Sequence, residues 1–291
     1  MKQVKIIAIG DNVVDQYLSR GMMYPGGQCV NTCVYAIMNG AAAAYLGKFG
    51  SDGVAAYNQQ VLGQLGIDIS RCRRFEGENG YAKVTLQNGD RVFLGSNKGG
   101  VAKEHPFGFG PEDVAYIQGF DVIYTNLNSY IEADLPLLQS TGVPVVYDFS
   151  TRWTDEYLQQ VCPYIQIATL SCAHLSDAER EREMKKAQAL GVPVVLGTVG
   201  ENGSYLLYKN QMLYAPAVNA REVKDTMGAG DSYFAAFLVS LLAHSPNGAL
   251  LGGLDEALPA RLEQAMQTGA AFAARVCNIE GAFGHGTPIV E

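Results

Sequence analysis

Ser176-Asp177-Ala178-Glu179 opens the stretch SDAEREREMKKAQALGVPVVLG, residues 176–197, and the fold is decided there. Ser176 with Glu179 three residues later is a capping box, in which each side chain satisfies the other residue's backbone N–H. The helix so begun runs to about Leu190. Gly191 ends it, and Pro193 opens the apolar strand that follows. The same alternation extends outward in both directions. Towards the N-terminus lie apolar strand patterns at 4–10, 121–125, 143–148 and 165–170, with helical spacing at 28–40 and 56–66, each helix closed by a glycine. Towards the C-terminus, residues 229–243 and 258–277 are strongly helical, and 204–214 is a hairpin turning at Lys209-Asn210. Repeated βα units predict an α/β fold with a mostly parallel central sheet and helices on both faces. One stretch breaks the rhythm. In GYAKVTLQNGDRVFLG, residues 80–95, Ala82, Val84 and Leu86 alternate with polar residues, and Asn88-Gly89 is a two-residue turn signal. This hairpin predicts a small second sheet, joined by short strands near residues 12–20.

The bulk numbers fit such a chain. It has 291 residues, 48% hydrophobic and 17% charged, an ordinary globular balance. The net charge of −8 and pI near 5.1 disfavour nucleic acid and anionic membranes as partners. The opening MKQVKIIAIGDN has too short an apolar run for a signal peptide, and no stretch has the length of a membrane helix. The six cysteines are scattered without a CxxC pair, so neither a zinc site nor a disulfide framework is expected, and a reducing cytoplasm is the expected location. Cys29 and Cys33, four residues apart on one helix face, read as small packing residues.

The chemistry concentrates in Asp225-Thr226-Met227-Gly228-Ala229-Gly230-Asp231. Two glycines and an alanine leave the backbone bare just before an apolar helix, so several N–H groups point outward where anionic oxygens bind well. Asp231 would repel an anion there. It fits if it faces an acceptor hydroxyl, orients it and takes its proton late. The plain alternative is a glycine-rich turn with Asp231 as an ordinary first-turn helix residue.

The same stretch resembles the DTxGAGD signature of the PfkB (ribokinase-like) carbohydrate kinases at every defined position. Three more stretches follow the family's order: Gly26-Gly27-Gln28-Cys29-Val30-Asn31 resembles GGxxxN, Gly47 to Asp52 resembles GxxGxD, and Thr198 to Gly203 resembles TxGxxG. The resemblance spans residue 5 to about 285. It implies a single ribokinase-like domain over 1–291, with lid strands from about 12–24 and 80–100, and an ATP-dependent kinase. By the resemblance Asp231 is the catalytic base and the amides of Gly228, Ala229 and Gly230 form the anion hole. Asp15, Gly26, Gly27 and Asn31 hold sugar hydroxyls, and Thr198, Gly200 and Gly203 line the ATP site. The family also implies Mg²⁺, a monovalent cation near Asp225, Thr226 and Gly281 in some relatives, and a homodimer through the lid.

The match departs at two places. Where the family carries NxxE, this chain has Ser171-Cys172-Ala173-His174, so no metal ligand is assigned; His174 is either a substitute ligand or a structural histidine. Three residues after Asp52 stands Ala55 rather than glycine. The pieces GDNVVD, NGDRVF and YDFSTRW are similar to the fructoselysine 6-kinase branch, which also lacks NxxE. That branch adds Asp11, Asp15 and Arg91 as substrate contacts, the two carboxylates facing a cationic amine; ordinary turn and strand polar residues are the other reading. Arg152 either meets a phosphate or sits on the surface. The resemblance thus implies phosphorylation of an Amadori sugar such as fructoselysine at its 6-hydroxyl. The alternatives are a kinase for fructose, ribose or a nucleoside, or a sugar- or nucleotide-binding protein without turnover, against which the intact Asp231 argues.

Overall fold

The computed structural model describes residues 3–87, 90–220, 223–245, 248–251 and 256–290. The chain begins with β1 (Lys5–Gly10), β2 (Val13–Tyr17), β3 (Met22–Gly26), α1 (Gln28–Met38), β4 (Ala42–Phe49), α2 (Gly53–Gln64) and β5 (Arg73–Arg74). Then come β6 (Gly80–Gln87), β7 (Asp90–Ser96), α3 (Val101–Glu104), α4 (Pro111–Ile117), β8 (Val122–Asn126), α5 (Leu135–Ser140), β9 (Val145–Asp148), α6 (Asp155–Val161) and β10 (Ile167–Ser171). It closes with α7 (Asp177–Ala189), β11 (Val194–Thr198), β12 (Ser204–Tyr208), β13 (Gln211–Ala215), α8 (Ala229–Ala243), α9 (Leu258–Val276) and β14 (Thr287–Pro288). The capping box at Ser176 forms as the sequence predicts, and Lys209 and Asn210 both take positive φ at the β12–β13 turn. The predicted Asn88-Gly89 turn lies outside the described residues.

The large sheet has nine strands in the order β13-β12-β11-β10-β9-β8-β1-β4-β5. From β11 through β5 every pairing is parallel, and the β12–β13 hairpin adds an antiparallel edge. Successive strand residues enter opposite cores, so the buried strands read as continuous apolar runs. Ile6, Ala8, Val122 and Tyr124 pack with α1, α8 and α9, whereas Ile7, Ile9 and Ile123 pack on the face that carries α5, α6 and α7. Helix α8 is buried without a break from Asp231 to Leu242, which is why its sequence is apolar on all sides.

The second sheet runs β14-β3-β2-β6-β7. Strands near residue 12 thus join the hairpin as expected, and β14 is an addition that two residues could not announce. The GxxGxD segment forms the join between the sheets. Asp52 caps α2 by accepting from Ala55 N at 2.9 Å, and its other oxygen accepts from Asn79 N at 2.9 Å, where β6 begins. Ala55 is an ordinary buried helical position. Lys48, in the same segment, is buried over the Phe107 ring and donates to the carbonyls of Ala102 and His105.

Candidate functional site

In an open parallel sheet the ligand crevice lies beyond the carboxyl ends of the strands, where the connections part to either side. Here the parting is at β1, which has β4 on one side and β8 on the other. Asp11 follows the end of β1, Asn126 ends β8, Asp148 ends β9 and Thr198 ends β11.

Asp231 is the third residue of α8. Gly228, at φ 73°, makes the left-handed turn that starts the helix; a Cβ there would stand 2.3 Å from the Tyr35 hydroxyl oxygen. Among the three amides expected to form an anion hole, that of Ala229 donates to the Thr226 carbonyl at 3.2 Å. Those of Gly228 and Gly230 meet no acceptor among the described residues, and a Cβ at Gly230 would face open space. The loop before the helix is pinned by Asp225, which accepts from Met227 N, from Gly281 N and from the hydroxyl of Tyr17 on the small sheet. The DTMGAGD loop, the C-terminal segment and the small sheet are therefore tied at one carboxylate.

The Asp231 side chain is buried, and burial pushes its carboxyl up to about 6, with Asp11 adding in the same direction. The 2.6 Å hydrogen bond from Asn31 acts against this by favouring the anion. The single side-chain oxygen of Asn31 is buried and without a partner among the described residues, an acceptor awaiting a donor. Gly26 brings Asp15 into the same place: a Cβ on Gly26 would lie 2.8 Å from an Asp15 oxygen and 3.9 Å from that free Asn31 oxygen. Gly27, at φ 100°, starts α1 so close to the chain that a Cβ would meet Asn12 and Asp11 at 3.0 and 3.1 Å.

Asp11 has a structural task that the sequence did not disclose. Its carboxylate accepts from Gln28 N, Cys29 N and Asn126 Nδ2 at 2.9, 3.0 and 2.7 Å, so it anchors the first turn of α1 and through it the side chains of Gln28 and Asn31. Arg91 lies on β7 opposite Leu86, and its side chain is outside the described residues. Thr198, Gly200 and Gly203 form a tight loop beyond β11, with Val199 N on the Gly203 carbonyl. Gly203, at φ 92°, would place a Cβ 2.3 Å from the Ala215 carbonyl oxygen. The loop is linked to α8 by the 2.7 Å contact between the hydroxyls of Ser204 and Tyr233.

Sequence reasoning missed Asp148 as a site residue. It is buried beyond Asp231, and burial, with the charges of Asp231 and Asp11, pushes it up to about 7. It closes the strand pattern VPVVYD, and a polar residue at the carboxyl end of a parallel strand was the available signal. In place of NxxE, Ser171 ends β10 and His174 is exposed beside Trp153. Among the described residues no three His, Cys, Asp or Glu side chains gather as a metal centre would require, so none is assigned.

Bare amides at the start of a buried helix, next to a carboxylate and the unfilled Asn31 oxygen, suit the transfer of an anionic group to a hydroxyl, and the class they define is the small-molecule kinase. The chain belongs to the pfkB family of carbohydrate kinases, whose family model matches residues 4–285. It is 38% identical over 286 residues to the fructosamine kinase FrlD of Bacillus subtilis (strain 168), covering 98% of this chain and 95% of that protein. It is 31% identical over 278 residues to the fructoselysine 6-kinase of Escherichia coli (strain K12), covering 96% and 99%. Among solved structures, the Arabidopsis thaliana ribokinase complexed with ribose and ATP superposes with a TM-score of 0.79 at 18% identity, over 97% of this chain and 95% of that one. The ribokinase of Giardia lamblia does so with a TM-score of 0.81 at 15% identity and the same coverage. The fold is ribokinase-like. No helix among the described residues is long and apolar enough to cross a membrane.

Proposed function

We propose that this kinase transfers the γ-phosphoryl group of ATP to the 6-hydroxyl of fructoselysine or a related Amadori sugar. The observation that carries the reaction is Asp231, a buried carboxylate hydrogen-bonded by Asn31 beside the open amide of Gly230. In this reading Asp231 orients the acceptor hydroxyl and takes its proton as the new P–O bond forms and the bond to ADP breaks. The amides of Gly228 and Gly230 stabilise charge on the transferred group, and α8 contributes its N-terminal dipole. Asn31 and Asp15 accept hydrogen bonds from sugar hydroxyls against the bare face of Gly26. Thr198, Gly200 and Gly203 shape the nucleotide side. Mg²⁺ would come with the nucleotide substrate and would neutralise charge on the phosphates during transfer.

The substrate rests on the two relatives named fructosamine and fructoselysine kinases, and on Asp15 and Asp11, an acidic setting that favours a cationic amine. Asp11 acts chiefly through α1, given its three donors. The small sheet serves as the lid that excludes water, and its exposed Leu18, Phe93 and Leu94 offer a face for a second copy. The test is ADP release with Mg-ATP across fructoselysine, other Amadori compounds, fructose, ribose and nucleosides, with Asp231→Asn as control. Turnover greatest on a fructosamine and lost in the variant supports the assignment. Turnover confined to a free sugar or nucleoside removes the Amadori substrate, and tight binding without ADP release removes the kinase reading.

A further inference from the structure

Arg152 lies on the connection from β9 to α6, at the carboxyl end of the sheet, and is exposed. Its Nη2 donates to Asn128 Oδ1 at 2.5 Å, and Asn128 Nδ2 donates to Gln28 Oε1 at 2.9 Å. Gln28 follows Gly27 in the GGxxxN stretch, so two hydrogen bonds join this cation to the loop proposed to face the sugar. Both amide residues rest on one buried pair. Gln28 N donates to Asp11, Asn128 N donates to Asn126 Oδ1, and Asn126 Nδ2 donates to Asp11. The connection that carries Asn128 also meets the root of the small sheet, where the Tyr130 hydroxyl donates to the Lys98 carbonyl at 2.7 Å. Arg152 thus stands at a rim with the start of α1 on one side and the small sheet on the other.

The guanidinium is anchored but not neutralised. Among the described residues it makes the one hydrogen bond to Asn128, which leaves most of its five-donor fork open. No carboxylate among them lies within ion-pair distance of it, in a chain of net charge −8. Glu132, on the same connection as Asn128, accepts from the Tyr157 hydroxyl instead.

The kind of anion that would fill the fork follows from the side of the sheet. The proposed nucleotide side is the start of α8 and the loop beyond β11, whereas the partners of Arg152 lie after β8 and on α1. An anion here belongs to the acceptor. In an Amadori product of an amino acid the amine sits on the sugar and the carboxylate lies further out. The protein repeats that order, with Asp11 and Asp15 buried inside and Arg152 exposed at the rim. We propose that Arg152 is a specificity-determining residue that binds the substrate's carboxylate, so that this kinase acts on Amadori products of free amino acids in preference to those of simple amines. Its planar fork matches a carboxylate, and the tether through Asn128 to Gln28 lowers the entropy lost on binding. The inference rests on the Amadori reading of the site.

The test uses two pairs of substrates that differ only in the carboxylate: fructoselysine against the Amadori product of cadaverine, and the Amadori product of glycine against that of methylamine. With Mg-ATP, wild-type kcat/KM should favour the carboxylate-bearing member of at least one pair about tenfold, as suits a charge-assisted hydrogen bond at an exposed rim. The preference should lie in KM for the sugar. Arg152→Met should bring the ratio close to one, Arg152→Lys should keep part of it, and Arg152→Glu should invert it. Equal use of both members of each pair by the wild type overturns the proposal and leaves the Amadori reading standing. A ratio that survives in Arg152→Met overturns it as well, by placing the carboxylate elsewhere. Turnover of a free sugar or nucleoside with none on the four Amadori compounds removes the substrate reading, and this inference falls with it.

Discussion

Replacing Asp231 with asparagine should abolish turnover and make the protein more stable, by an amount that grows with pH. Burial lifts the carboxyl from 3.8 to about 6 in the folded chain. An acid whose pKa is raised on folding contributes stability that is fully present below the unfolded value and lost as pH rises through the folded one. Asparagine has the shape of the protonated acid and never takes the charge, so it keeps that stability. With these two values the gain is about 1.6 kcal/mol at pH 5 and about 3 kcal/mol at pH 8. At about 2 °C per kcal/mol for a chain of this length, Tm should rise by about 3 °C and about 6 °C. Relief of Asp148, whose own burial is aggravated by the charge on Asp231, acts in the same direction. The assay is thermal unfolding of wild type and variant without ligand at both pH values. A gain equal at pH 5 and pH 8, or a variant less stable at pH 8, would refute the argument that folding buries this charge at a cost.

Three further outcomes follow from the same geometry. With Asp231 in the proposed role of base it must be ionised, so kcat/KM of the free enzyme should fall about tenfold per pH unit below about 6, and a limb near 4 would contradict the buried setting. Gly228→Ala sets a Cβ 2.3 Å from the Tyr35 hydroxyl at φ 73°; kcat should drop by roughly 100-fold or more with ~1–3 kcal/mol of stability, and an active Ala variant would show that the turn is not needed. Tyr17→Phe deletes the 2.7 Å hydrogen bond from the small sheet to Asp225 and should cost ~1.5–3 kcal/mol in urea unfolding; a loss below ~0.5 kcal/mol would mean that the tie is not coupled to folding.

What the sequence disclosed follows from the range of each signal. Local rules work where the partner is a few residues away: the capping box at Ser176, the glycine stop at Gly191, the Lys209-Asn210 turn and the wholly apolar α8 all appear where the patterns put them. The glycines at 26, 27, 228 and 230 were legible because a bare backbone is itself a local property. Asp148 was not legible, since the carboxylates that act on it, Asp231 and Asp11, stand far away along the chain. Asp11 was legible as a site residue, whereas its task as the anchor of α1 was not, because its donors Gln28, Cys29 and Asn126 lie 17, 18 and 115 residues away.

The two glycines flanking Ala229 meet different surroundings, and the difference bears on how one short loop would hold both the proposed base and the proposed anion site. Gly228 is glycine for conformation and space: φ 73° and the Tyr35 hydroxyl forbid a side chain. Gly230 has ordinary helical geometry and nothing within 4 Å of its would-be Cβ, so neither strain nor packing requires a glycine there. What remains is approach: an alanine methyl at 230 would project into the space from which a phosphoryl group reaches the helix start. Gly230→Ala should therefore fold as stably as wild type, or gain the ~1 kcal/mol that alanine offers over glycine in a helix, while kcat falls by tenfold or more. Equal loss of stability and activity would instead make Gly230 a second structural glycine, and the anion site would then rest on the Gly228 amide and the helix dipole.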